Sequence, residues 1–114
     1  MSIWHKEIGN ETWLVGVSGR LDHLQTPELE SELLELAGSG DRKMIIDMTE
    51  VTYVNSGGLR CLVTIWRKAQ QGNGTVVLSG ISPSLMDLFT TVGFHKVFDI
   101  YATTDEARQA LEVS

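Results

Sequence analysis

The chain has 114 residues, a formal charge of −6 at pH 7 and a sequence pI near 4.9, which sets aside a nucleic-acid role for the chain as a whole. A hydrophobic fraction of 42% with 21% charged residues fits one globular domain spanning 1–114 and argues against disorder. Apolar runs are too short for a membrane span, the start (MSIWHKE) lacks the pattern of a secretory signal, and Cys61 has no partner for an internal disulfide, so a reducing cytoplasm is the expected location.

Ile3 to Ile8 reads as a strand, Gly9-Asn10 as a turn and Trp13 to Val17 as a second strand, the pair forming a hairpin. Gly19-Arg20-Leu21-Asp22 follows as a loop or short edge strand. Thr26-Pro27-Glu28 opens a helix with a hydroxyl cap, proline at the first position and an acid in the first turn. Leu29, Leu33, Leu36 and Ala37 supply its inner stripe, Glu28, Glu30, Glu32 and Glu35 a solvated face, and Gly38 with Gly40 its end. Met44 to Met48 is apolar apart from Asp47, as expected of a covered central strand.

Leu59, Leu62, Val63, Trp66 and Ala69 recur at helical spacing, so a helix is expected from about Gly57 to Gly72-Asn73-Gly74. Thr75 to Leu78 is the next buried strand. Ser82-Pro83 opens a third helix that Gly93 ends, Val97-Phe98 reads as a short last strand, and Thr103 to Glu106 offers a capping box for a terminal helix. Strand and helix alternate after the hairpin, which predicts an α/β fold with a partly parallel sheet.

The segment with most chemistry is Tyr53-Val54-Asn55-Ser56-Gly57-Gly58-Leu59. Ser56 is the expected N-cap, and the two glycines after it leave the first backbone N–H groups open to an anion such as a phosphate. An N-cap serine usually does no more than satisfy a backbone donor, worth about 1 kcal/mol. Two glycines in a first helical turn cost about 0.5–1 kcal/mol each against alanine, however, and imply that something approaches the backbone there.

This segment resembles the signature of the STAS family, in which a strand and tight turn lead to Asp-Ser-Ser/Thr-Gly-Leu at a helix start. Gly19-Arg20-Leu21-Asp22 before a helix, Asp47-Met48-Thr49 ahead of the signature and Ile81-Ser82-Pro83 before the third helix fall in the family's order. The resemblance implies a single STAS-like α/β domain with a mixed β-sheet of about four to five strands and about four helices packed on it. Within the family, small acidic stand-alone members resemble bacterial anti-sigma factor antagonists. These bind an anti-sigma factor that is also a serine kinase, and so release the sigma factor. The kinase phosphorylates the signature serine, which maps onto Ser56; phosphorylation prevents the complex and a serine phosphatase restores it. By the same resemblance Asp22, with His23 as its neighbour, and Asn55, Ser56, Gly57, Gly58 and Leu59 form the partner-binding surface. The chain departs from the pattern at Asn55, where aspartate is usual, at Gly57 in place of a second hydroxyl, and at Arg60 where glycine is frequent.

Ser56, His23 and Asp22 are the residue types of a nucleophilic triad, but no Gly-x-Ser-x-Gly elbow is present and no enzyme activity is expected. His5, His23 and His95 lack metal-ligand spacing, and neither a Walker loop nor a Gly-x-Gly-x-x-Gly fingerprint occurs, so no metal or cofactor is expected. Two other readings are a STAS scaffold or sensory subunit that is never phosphorylated, and a phospho-aspartate receiver with Asp47 as acceptor. The receiver lacks the acidic pair its Mg²⁺ needs after the first strand, where Gly16-Val17-Ser18-Gly19 stands.

Overall fold

The computed structural model describes residues 2–37 and 42–112. The hairpin pairs β1 (Ser2–Glu7) antiparallel with β2 (Thr12–Leu21), and every later strand is added in parallel through a helix. The order is α1 (Thr26–Ala37), β3 (Lys43–Val54), α2 (Ser56–Gln71), β4 (Thr75–Ser79), α3 (Pro83–Thr91), a 3₁₀ turn at Phe94–Lys96, β5 (Asp99–Tyr101) and α4 (Thr104–Glu112). The result is a five-stranded mixed sheet in the order β1-β2-β3-β4-β5, as the alternation predicts. The glycines expected to end α1, Gly38 and Gly40, lie outside the described residues.

Alternation along β3 explains the two layers. Met44, Ile46 and Met48 point to the main core, which Leu29 and Leu33 of α1, Leu62 and Ile65 of α2, and Leu85 and Phe89 of α3 complete. Ile45 and Val77 point to the other face, where Ala107 and Leu111 of α4 cover them. Ser82 caps α3 by accepting from the Leu85 N–H at 3.4 Å, and Thr103 Oγ1 caps α4 by accepting from Glu106 N–H at 3.1 Å. Trp13 and Trp66 are half-buried against the main core, whereas Trp4 is exposed and lies over Gly16.

Three expected boundaries move. Gly19 to Leu21 is not a loop but the end of β2, paired with β3 as far as Leu21–Val54. β3 does not stop after Thr49, because it carries one extra residue opposite Gly16–Ser18 and another opposite Gly19–Arg20. Such bulges break the period of two: the buried positions step from Met48 to Val51 to Val54, and the strand signal fades in the sequence. Val97-Phe98 is not a strand. Phe98 N–H donates to the Phe94 carbonyl at 2.9 Å in a helical turn that stacks Phe94 and Phe98 beside Phe89, and β5 begins only at Asp99.

The first bulge is locked to the end of β4. Asp47 Oδ1 accepts from Thr49 N–H at 3.0 Å and Thr49 Oγ1 at 2.6 Å, and Gly80 passes so close that a Cβ on it would lie 2.2 Å from Thr49 Oγ1. Gly80 also has φ +72°, a left-handed conformation that alanine adopts at a cost of about 1–2 kcal/mol. Gly80→Ala is therefore expected to lose about 2–3 kcal/mol in urea unfolding. In a Thr49→Ala background, which removes the hydroxyl at 2.2 Å, the same change should cost less, about 1–2 kcal/mol.

Candidate docking and modification site

Because β2 and β3 run parallel and end together at Leu21 and Val54, the segments leaving them emerge side by side. Asn55 N–H donates to the Leu21 carbonyl at 3.1 Å, which ties the start of α2 to the end of β2. The site is this seam: Asp22 to Gln25 on one side, Asn55 to Arg60 on the other.

Asn55, not Ser56, caps α2. Its backbone is extended (φ −112°, ψ −171°) and its Oδ1 accepts from Gly57 N–H at 2.9 Å and Gly58 N–H at 3.2 Å. Ser56 is the first helical residue. It is exposed, and its hydroxyl has no hydrogen-bond partner among the described residues. The side-chain amide of Asn55 thus takes over the capping role expected of the hydroxyl, and the Gly57 and Gly58 N–H groups expected to be open are occupied. The glycine pair has a different cause from an approaching anion. A Cβ on Gly58 would lie 2.4 Å from the Leu21 carbonyl oxygen, and one on Gly57 would lie 3.0 Å from the His23 backbone. What comes close to the helix entrance is the chain's own β2–α1 segment.

Asp22 shapes that segment. It is only 9% exposed; its Oδ1 accepts from Leu24 N–H at 3.1 Å and Gln25 N–H at 3.2 Å, and Oδ2 lies 3.6 Å from Arg20 Nε. Its carboxylate is committed to the turn, which turns His23 and Leu24 outward; both are exposed, Leu24 at 77%. Leu24 escaped the sequence reading because it falls between the strand and helix periods; its one signal is an apolar residue that neither period claims. Near the end of β3, Tyr53 is exposed at 39%, with the Arg20 guanidinium 4.1 Å from its ring centroid, a cation–π contact. The structure therefore brings together Ser56, His23, Gly57, Gly58, Asn55 and Asp22, and adds Leu24, Tyr53 and Arg20. Leu59 is half-buried against the core and supports the helix from beneath.

No catalytic array forms at the seam. Among the described residues His23 hydrogen-bonds neither Ser56 nor Asp22, and no group of His, Cys, Asp and Glu could hold a metal ion. Asp47 lies within β3 with its carboxylate engaged by Thr49. Burial pushes the Cys61 thiol from 9.0 up to about 12, with Glu30 adding to the effect, so it stays protonated and unreactive at neutral pH. No described helix is long and apolar enough to cross a membrane.

The seam lies at the carboxyl ends of the parallel strands β2 and β3, the edge at which α/β sheets place their ligands. The chain belongs to the STAS domain family, whose model matches residues 4–107. It is 29% identical over 100 residues to the anti-sigma-B factor antagonist of Listeria monocytogenes, covering 88% of each chain. To the anti-sigma-B factor antagonist of Bacillus subtilis it is 29% identical over 91 residues, or 80% of this chain and 83% of that one. The unphosphorylated form of the anti-sigma factor antagonist SpoIIAA shares the fold with a TM-score of 0.83 at 18% identity, over 99% of this chain and 98% of that one. The phosphorylated form of the Bacillus protein SpoIIAA superposes with a TM-score of 0.76 at 19% identity, over 96% and 99%. Family membership displaces the receiver reading of Asp47.

Two measurements check this geometry. Asn55→Ala should destabilise the fold by about 1 kcal/mol, whereas Asn55→Asp, which keeps the cap and adds charge at the positive helix end, should leave stability equal or a few tenths higher at low salt. For Cys61 the native state holds a proton that the unfolded chain has lost between pH 9 and about 12, so its contribution to stability falls as pH rises through that window. Unfolding free energy should drop there by up to about 1.4 kcal/mol per pH unit more steeply in the parent than in Cys61→Ala.

Proposed function

We propose that this chain is an anti-sigma factor antagonist whose binding is switched by phosphorylation of Ser56. Unphosphorylated, it sequesters an anti-sigma factor that carries serine kinase activity and so frees the sigma factor. The kinase ends the complex by modifying Ser56, and a serine phosphatase restores it, all in the cytoplasm. The chain has no catalysis and no cofactor of its own; ATP and Mg²⁺ belong to the kinase.

The observation that carries this reading is the exposed, unpartnered Ser56 hydroxyl at the seam where Leu24 and Tyr53 are also exposed. In this reading the partner packs over the exposed His23–Leu24 turn, which the Gly57 contact places against the helix entrance that carries Ser56. Phosphorylation adds about −1.5 to −2 charges there. Burying that dianion under a partner costs several kcal/mol unless it is paired, and every 1.4 kcal/mol is about tenfold in affinity. In this scheme Asp22 acts by holding the turn that presents His23 and Leu24, and Asn55, Gly57, Gly58 and Leu59 fix the helix entrance.

The test is titration calorimetry against the anti-sigma factor that this chain captures from its native cytoplasm, identified by mass spectrometry. Ser56→Ala should bind within about twofold of the parent, and Ser56→Asp at least about tenfold more weakly with an unchanged melting temperature. Equal affinities for the two variants would remove the charge switch from Ser56.

A further inference from the structure

The N-terminus of α2 offers a phosphate less than a free helix end would. The N–H groups of Gly57 and Gly58 already donate to Asn55 Oδ1, which makes a side chain the main source of counter-charge for a phosphate on Ser56. The side chains of this corner narrow the choice. Arg20 is engaged by the Asp22 carboxylate and the Tyr53 ring. Arg60 is different. It is exposed, stands four residues after Ser56 on the same helix, and makes no ion pair among the described residues. Residues four apart on a helix are neighbours on one face, and a guanidinium pairs with phosphate through two parallel N–H donors.

The rest of α2 agrees. It contains no acidic residue, so no carboxylate on its own helix competes for Arg60, and its other cations, Arg67 and Lys68, lie two turns or more beyond Ser56. On the neighbouring α1, Glu30 is the carboxylate whose field reaches Cys61, the residue after Arg60, yet it forms no ion pair with Arg60. Asp22 and His23 are the remaining ionisable groups beside the glycine turn, and Asp22 is committed to its own loop.

We infer that Arg60 is the intramolecular clamp for the Ser56 phosphate, closing on it across one helical turn once the serine is modified. This rests on the proposal that Ser56 is the modified residue. It assigns a purpose to the position where the chain departs from the family's frequent glycine. In place of the missing acid at Asn55 and the second hydroxyl at Gly57, the signature here carries a cation placed to hold the product of the modification. The phosphorylated state is thereby stabilised within the protein, without a partner.

The test uses the full chain carrying phosphoserine at position 56, installed during translation, so that it does not depend on any kinase accepting the protein. The phosphate is titrated by ³¹P NMR at low salt in the parent, Arg60→Gln, Arg60→Lys and Arg67→Gln. The parent should titrate about 0.15–0.4 pH unit lower than Arg60→Gln, with Arg60→Lys between them and Arg67→Gln at the parent value. The difference should shrink in 0.5 M salt, on the order of the loss expected for an exposed pair. Identical midpoints for the parent and Arg60→Gln would overturn the inference, as would an equal displacement by Arg67→Gln, which would mean a diffuse field. If instead the kinase fails to modify Ser56 in the native protein, the Ser56 switch falls while the ³¹P result stands.

Discussion

The site depends on one constraint: the parallel pairing of β2 with β3 that ends at Leu21 and Val54. It places the Leu21 carbonyl where it accepts from Asn55 N–H and where Gly58 can have no side chain. Shift that register by one residue and Leu21 and Val54 exchange the core for solvent, Asn55 loses its anchor, and α2 leaves the sheet in another direction. The two bulges in β3 serve the same end. By absorbing two residues they turn Val51 inward between Met48 and Val54 and bring the end of β3 opposite Leu21.

From this constraint follows a division of labour at the helix entrance. Asn55 satisfies the first-turn N–H groups, Asp22 satisfies those of the adjoining turn, and the glycines let the two segments touch. The side chains that build the corner, Asn55 and Asp22, are therefore used internally, whereas the Ser56 hydroxyl is not. A side chain released from structural duty can gain a phosphate without unfolding its surroundings, which is what a reversible modification requires. In the proposed function, exposed Leu24 supplies apolar surface for the partner, since apolar surface drives association while charge decides whether it is allowed.

Much of this was legible in the sequence, and the failures have physical causes. Helix starts at Thr26 and Ser82 and the ends of α2 and α3 follow from caps, proline and glycine, which act locally. The seam itself was legible as a motif but not as a geometry. Ser56 and Asn55 are both good cap residues, and only the register of β3 against β2 decides which one turns its side chain back onto the helix. Asp22 reads as a surface acid, yet it is buried because the turn after β2 has N–H groups to satisfy. Leu24 was invisible, since periodicity detects apolar residues that are buried and has no means of marking one that is not. The bulges hid the second half of β3 for the related reason that they destroy the alternation by which strands are recognised.

In the proposed switch a partner docks on the Leu21–Val54 seam and a phosphate on Ser56 closes it. Backbone amide resonances followed during titration with the anti-sigma factor test this most directly. For the unphosphorylated chain, signals from His23, Leu24, Tyr53, Ser56 and Arg60 should move or broaden while those of α4 stay in place; with phosphoserine at position 56, none should change at the same concentrations. Changes centred on α4 and β5, or an unaltered response after phosphorylation, would contradict the account.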